Sequence, residues 1–165
     1  MAGMIRETCP EDLEPIRAFW NPLIRDTMVT FASIERTEAT MRAYYEAHRA
    51  AGQGFFTALS DGVPVGFAAY SQFRPSNGYA RAMEHTVILS KAAWGKGLGR
   101  ALMAAAENHA RAAGHLCLIG AVSGGNPAGR DFHAAIGYHL VGTMPGVGWK
   151  FGKSWDLWLM QKNLT

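Results

Sequence analysis

The chain reads as a mixed α/β fold in one domain, a mostly antiparallel sheet of about seven strands flanked by helices. Two helical patterns precede any long strand, a run of extended segments with turn residues follows, and strand and helix alternate over the second half. The length of 165 residues suits one domain of roughly 100 to 200 residues. With 48% hydrophobic and 18% charged residues, the chain can fill an ordinary core.

Ile5 and Arg6 open a short extended segment. Thr8, with Glu11 three residues on and Pro10 between them, predicts a capping box at a first helical turn. Leu13, Ile16, Phe19, Trp20, Leu23 and Ile24 recur at three and four, which predicts one buried face of a helix running to about Arg25. A second helix is expected from about Thr37 to Ala51, with Met41, Tyr44, Tyr45 and His48 on its stripe and Gly52 at its end. Phe55 to Leu59, the Asp61-Gly62 turn and Val63 to Phe73 form a hairpin pattern. Pro75, Asn77 and Gly78 break the chain before a strand from Met83 to Leu89.

A glycine-bearing loop then leads into an alanine-rich helix from about Gly97 to Ala113, closed by Gly114. Cys117 to Val122 is a buried strand, so Cys117 is expected inside. Gly124, Gly125 and Asn126 lead to a short helix through Asp131 and Ile136 that Gly137 ends. Tyr138 to Met144 and Trp155 to Met160 supply the last two strands. No repeat and no linker divides residues 1–165.

Composition narrows the function. The net charge is only +3 and no five basic residues run together, which argues against a nucleic-acid partner and for a small polyanion. The five tryptophans read as core or dimer packing rather than a stacking platform for bases. The longest apolar stretch, Leu116 to Val122, is far short of the ~20 residues of a membrane helix, and Met1 to Glu7 has no signal-peptide pattern. Cys9 and Cys117 make no CxxC, so a reducing cytoplasm is expected. His48, His109, His115 and His139 lack metal-ligand spacing, and no metal is expected.

The most informative segment is Gly95-Lys96-Gly97-Leu98-Gly99-Arg100, where an apolar strand meets the start of a helix. Glycines let several backbone N–H groups point at one oxyanion, the helix N-terminus adds partial positive charge, and Lys96 and Arg100 add more. Gly97 follows Lys96 where a P-loop needs Ser or Thr, and the G-x-G-x-x-G spacing of dinucleotide folds is missed. An anion site and a plain connecting turn both remain open on these residues alone.

The strand, the Gly-x-Gly-x-Gly loop and the helix together resemble the acetyl-CoA site of the GNAT N-acetyltransferase family. The likeness extends to the branch that acts on phosphinothricin and methionine sulfoximine, through Asn21, Ile24, Thr27 and Thr30-Phe31, through Phe73-Arg74-Pro75, Asn77 and Tyr79, and through Glu84-His85-Thr86-Val87. Asn126, His133 and Gly137-Tyr138 continue it, as do Gly148-Trp149-Lys150 and Trp155-Asp156 near the end. Two positions depart: Trp94 stands where the family usually has Arg or Gln, and Gly129 where it often has Ser.

The resemblance implies a sheet splayed at the coenzyme, acetyl-CoA as cosubstrate, and direct transfer to a small-molecule amine, the α-amino group of an amino-acid analogue. It implies that Val87, Ile88 and Leu89 lend backbone groups to the pantetheine arm, that Gly95, Lys96, Gly97, Leu98, Gly99 and Arg100 hold the diphosphate, and that Asn126 bonds the pantetheine side. Read as a bare residue, Asn126 before Pro127 is equally a helix cap. Glu84 is the expected base, with a strand-end glutamate bonded to solvent as the other reading. His133 is either the acid that protonates the departing thiolate or a packing residue.

Arg74 is the expected carboxylate clamp, or else a solvent-facing arginine, with Pro75 and Ser76 in the same loop. Glu84 and Thr86 are expected to line the acceptor site, and His85, on the opposite strand face, is read as substrate-lining or structural. Phe31 and Lys150 are further candidates that could reach a site across a subunit boundary, and the family implies a homodimer. Transfer to another amine, such as a polyamine, an aminoglycoside or a protein N-terminus, and a coenzyme-binding module without catalysis are the competing readings.

Overall fold

The computed structural model describes residues 3–165. Its strands are β1 (Met4–Glu7), β2 (Phe55–Ser60), β3 (Val63–Gln72), β4 (Ala82–Leu89), β5 (Cys117–Ser123), β6 (His139–Lys150) and β7 (Lys153–Asn163). Its helices are α1 (Leu13–Asp26), α2 (Glu38–Ala50), α3 (Leu98–Ala112) and α4 (Pro127–Ala135). The strands form one sheet in the order β1-β2-β3-β4-β5-β7-β6. All neighbours are antiparallel except β4 and β5. The predicted fold class holds.

Local chemistry explains most element ends. Asp61 and Gly62 both take positive φ, 52° and 79°, the two-residue turn whose twist matches a hairpin. The Thr37 side chain accepts the Thr40 N–H and so caps α2. The first turn differs from expectation. Its box is made one residue later, where Asp12 Oδ2 accepts the Cys9 N–H at 3.0 Å. Thr8 instead uses its hydroxyl on Thr57, 2.7 Å away across the sheet, and the Asp12 carboxylate is claimed by the Arg6 fork at 2.7 and 2.9 Å.

The C-terminal hairpin is longer than expected. Beyond Met144, the expected end of the first strand, β6 carries Pro145, Gly146 and Gly148 through, with register shifts at Leu140/Gly142 and Met144/Gly148. Edge strands tolerate proline and bulges because one side of the ladder is free, and β6 is such an edge. Cys117 also departs from expectation: it begins β5 and is half-buried rather than enclosed.

Each sheet face has its own core. On one, Ile16, Trp20, Leu23, Ile24, Met41 and Tyr45 from α1 and α2 pack on Phe55, Phe67, Ala69 and Ile88. On the other, Leu102, Met103, Ala106 and Ala110 of α3 pack on Ala58, Ala68, Met83 and Leu118. Each fully buried Leu or Met contributes roughly 1.5–3 kcal/mol, so these faces fix which side of β4 every site residue occupies.

Candidate active site

Strands β4 and β5 pair only over Ala82↔Cys117, Met83↔Leu118, Glu84↔Ile119 and His85↔Gly120. Beyond that vertex β4 stays paired with β3 as far as Leu89 but has no ladder partner on its other side. Two hydrogen bonds fix which backbone groups face the gap. Phe73 N–H donates to Ala82 O and Ser90 N–H to Val65 O, which makes the Ser71/Glu84, Ala69/Thr86 and Phe67/Ile88 pairs the hydrogen-bonded ones. The N–H and C=O of Val87 and Leu89 therefore point into the gap. Those of Ile88 are spent on Phe67, which corrects the expectation that all three residues lend backbone groups.

The gap leads, over four residues or roughly 13 Å of strand, to the glycine loop. Gly95 and Gly97 have φ of 73° and 77°, and a Cβ at either would meet nothing within 4 Å. They are glycines for their left-handed backbone, not for packing. Gly97 caps α3, and Ala101 is the first residue to donate back, to Gly97 O. The amides of Leu98, Gly99 and Arg100 thus lack helical acceptors at the positive end of a 15-residue helix. Gly99 has a different purpose, since a Cβ there would press on the Phe132 ring at 3.1 Å. Lys96 is exposed, while Arg100 Nη2 donates to Ala135 O at 3.2 Å and ties α3 to α4. An extended ligand with amides at one end and an oxyanion at the other matches this line of groups.

Glu84 stands at the vertex, and its side chain shares a face with Thr86 and Ile88, toward α1 and α2. It is half-buried, bonds no other side chain, and burial raises its pKa above the ordinary carboxylate value. A carboxyl so placed can hold an ammonium group and take its proton. Tyr44 of α2 packs on the same cluster as Ile88, and burial raises its pKa.

The opposite face of the vertex holds a buried imidazole pair. His133 Nδ1 lies 2.6 Å from Gly129 O, which can only accept, so that nitrogen carries the proton. Its bare Nε2 then accepts from His85 Nε2–H at 2.9 Å, and His85 Nδ1 is left buried without a partner. Burial, with His133 beside it, brings the His85 pKa down to about 3. Burial also lowers His133, against the Gly129 carbonyl. Gly120 makes the room, since a Cβ there would lie 3.0 Å from His133 Nε2.

For both histidines the geometry favours the structural of two open readings. His133 has no free N–H to give a thiolate, because both ring nitrogens are engaged inside the protein. His85 faces away from Glu84 and is 5% exposed, so it does not line an acceptor site on that side.

Comparison with known proteins agrees with this layout. Residues 20–138 match the model of the acetyltransferase (GNAT) family. The chain belongs to the GNAT family of acetyltransferases. It is 34% identical, over 99% of its length and 96% of the relative's, to the L-methionine sulfoximine/L-methionine sulfone acetyltransferase of Pseudomonas paraeruginosa. It is 30% identical to the phosphinothricin N-acetyltransferase of Alcaligenes faecalis, over 99% of this chain and 84% of that one. Among solved structures, it superposes with a TM-score of 0.94 on a GNAT phosphinothricin acetyltransferase from Sinorhizobium meliloti in complex with acetyl-CoA, at 28% identity and covering 99% and 89% of the two chains. The protein is an acyltransferase.

This GNAT enzyme's two departures both have local consequences. Trp94, half exposed, donates its indole N–H to Leu89 O at 3.0 Å, so it occupies one lone pair of a carbonyl that faces the gap. Asn126 caps α4, its Oδ1 accepting the Gly129 N–H at 3.0 Å. A Cβ at residue 129 would collide with Asn126 Nδ2, so the glycine is what lets the carboxamide fold over the helix end. Nδ2 has no partner within the described residues.

On the acceptor side of this GNAT fold, Arg74, Pro75 and Ser76 lie exposed in the β3–β4 loop. Gln72 Nε2 holds that loop through the carbonyls of Arg74 and Ser76, and the Arg74 guanidinium lies 5.8 Å above the Tyr79 ring. Phe31 lies against Gly148, where a Cβ would run into its ring. Lys150 is not available to a substrate. It is 2% exposed, and Nζ donates to Ile24 O, Thr27 O and Thr30 O at 2.7, 2.6 and 2.7 Å. That cation closes the C-terminus of α1 within its own chain.

Sequence reasoning passed over three neighbours of Glu84's face. The Arg36 guanidinium lies 4.3 Å from the centroids of both the Trp20 and the Tyr44 ring. Asn21 fixes it by clasping the Arg36 backbone with both carboxamide atoms, at 2.8 and 2.9 Å. Trp20 and Tyr44 were legible only as buried-stripe residues, and nothing in the local pattern of Arg36 marks it.

Proposed function

We propose that this enzyme transfers an acetyl group from acetyl-CoA directly to the α-amino group of a small amino-acid analogue of the methionine sulfoximine, methionine sulfone or phosphinothricin type. The observation that carries the reading is the vertex, where the gap-facing backbone of Val87 and Leu89, outside any β4–β5 ladder, ends beside the half-buried, raised-pKa carboxyl of Glu84. The names of the relatives support the acceptor class.

Acetyl-CoA supplies the acetyl group as an activated thioester. Val87 and Leu89 hold its amide-bearing arm along β4, the first-turn amides of α3 with Gly95 and Gly97 hold its diphosphate, and Asn126 Nδ2 is a further donor. On the other face Glu84 binds the acceptor's ammonium group and accepts its proton, which leaves a neutral nitrogen able to attack. Arg74 pairs with the acceptor carboxylate as a two-toothed clamp. The neutral histidine pair holds α4 against β4 and β5 and leaves thiolate protonation to solvent.

We read the 165 residues as one catalytic domain and place it in the cytoplasm, in keeping with its two free cysteines. Among the described residues, no helix is long and apolar enough to cross a membrane. A homodimer is proposed through the β6–β7 arm, which exposes Val141, Val147, Trp149 and Phe151. The test is coenzyme thiol release with a panel of acceptors. Methionine sulfone and phosphinothricin should outpace polyamines, aminoglycosides and peptides, and Arg74→Ala should erase the advantage of amino acids over simple amines. An equal rate with simple amines would contradict the reading.

A further inference from the structure

Arg36 is the one part of the α1–α2 face that the proposed chemistry leaves unexplained. Its guanidinium is held in the angle between two aromatic rings, yet no carboxylate pairs with it and its N–H donors bond nothing among the described residues. Arg6, Arg17 and Arg25, by contrast, each take a carboxylate partner. Burial lowers the Arg36 pKa, so the half-buried cation has given up water without receiving an anion in return. A second donor in the same cluster is also unmatched. Trp20 is 5% exposed, and its indole N–H is buried with no acceptor. Because the guanidinium sits over that indole, the two lie within one ring's width of each other.

The cluster is joined to the vertex by Tyr44. Arg36 covers its ring, and Tyr44 packs on the cluster that contains Ile88 of β4, whose side chain lies on the same face as Glu84. Arg36 and Glu84 make no ion pair with each other among the described residues, so both charges on this face are left for a ligand.

We propose that Arg36, assisted by the Trp20 N–H, is a specificity-determining subsite for the far end of the acceptor, a side chain terminating in a tetrahedral centre with two oxygens. A planar guanidinium offers paired donors to two such oxygens, and an orphan buried N–H gains most from an acceptor that arrives with the ligand. This assignment rests on the amino-acid acetyltransferase reading above: Glu84 takes the ammonium group, Arg74 the carboxylate and Arg36 the head group. A site of this kind rejects a side chain that leaves its donors unpaired.

The test compares phosphinothricin with norleucine, an amino acid with a bare hydrocarbon side chain, in wild type, Arg36→Gln and Trp20→Phe. Arg36→Gln should raise KM for phosphinothricin by about tenfold or more with kcat within about twofold, and leave norleucine unchanged, so that the preference collapses; a guanidinium–oxyanion bond of 1.5–3 kcal/mol sets that size. Trp20→Phe keeps the ring and should cost a few-fold on phosphinothricin only. Equal losses on both acceptors, or no loss on either, would overturn the subsite.

Should Arg36→Gln lower the melting temperature enough to cloud the kinetics, Arg36→Lys keeps the charge and should retain part of the preference. Loss of all preference in it together with unchanged binding would also count against the proposal. Calorimetry of phosphinothricin into coenzyme A-loaded enzyme separates the two claims. A wild type that turns over neither acceptor contradicts the functional reading, while a phosphinothricin affinity equal in wild type and Arg36→Gln contradicts the subsite.

Discussion

In the proposed assignment, the donor side of the vertex is made of backbone and the acceptor side of side chains. Along Val87, Leu89 and the Gly95–Arg100 turn, the groups offered to a ligand are amides and carbonyls, and the side chains mostly do something else: Leu98 is in the core, Arg100 is tied to Ala135 and Trp94 to Leu89. Around Glu84 the reverse holds, with the strand ladder complete on the β3 side and the proposed acceptor contacts assigned to the side chains of Glu84, Arg36 and Arg74. A backbone site tolerates many side chains provided φ is right; a side-chain site is lost one residue at a time.

That contrast breaks most visibly at Glu84. Glu84→Gln keeps shape and hydrogen bonding but removes the base, and kcat should fall about 10²–10⁴-fold with coenzyme affinity unchanged. Because burial raises the Glu84 pKa, kcat/KM in wild type should rise with pH through a midpoint above the ordinary carboxylate value. Turnover that survives in Glu84→Gln would remove the carboxyl from the chemistry. Next in size is Lys150→Met, which leaves the buried carbonyls of Ile24, Thr27 and Thr30 without their donor. At about 1–3 kcal/mol for an unsatisfied buried group, urea unfolding should show a loss of about 3 kcal/mol, and a loss under about 1 kcal/mol would mean water replaces the ammonium easily.

How much of this was legible in the sequence follows from the same contrast. The glycine loop, the strand before it and the helix after it are contiguous, so the glycine turn and helix start at Gly95 to Arg100 could be read from residue types, with an anion site and a plain turn both open. Glu84 could be placed because strand alternation needs only a count of two. His133 could not be judged, since its Nε2 is filled by a residue 48 positions away and its Nδ1 by a carbonyl with no side-chain identity. Lys150 is likewise satisfied by three carbonyls more than a hundred residues earlier. Backbone acceptors leave no trace in composition, and that is why His133 stays open between two readings in the sequence and Lys150 counts there among the substrate candidates. Arg36 fails for a related reason: the rings that hold it come from two helices, and only the packing of α1 on α2 brings them together.

The histidine pair gives a smaller effect with a definite sign. With a native pKa near 3 against an ordinary 6.5, His85 stays neutral while the unfolded chain takes up a proton. Its contribution is therefore fully present above about pH 6.5 and is lost as pH falls from there toward 3, by up to about 1.4 kcal/mol per pH unit. His85→Gln should flatten the wild-type decline of melting temperature between pH 6.5 and 5, and equal slopes would show that the imidazole is not buried as a neutral group. Smallest is Gly97→Ala. Space is open there, so the cost is conformational, about 1–2 kcal/mol for an L-residue at a φ of 77°, and should appear as roughly tenfold weaker coenzyme binding with kcat little changed.

Amide hydrogen exchange with and without acetyl-CoA tests the central claim most directly, because it reads the backbone groups themselves. Slowed exchange concentrated in Thr86 to Leu89 and Gly95 to Arg100, with the α1–α2 face little altered until an acceptor is added, is the predicted result. Saturating acetyl-CoA that leaves those two segments exchanging as before, or protects only segments elsewhere, would contradict it.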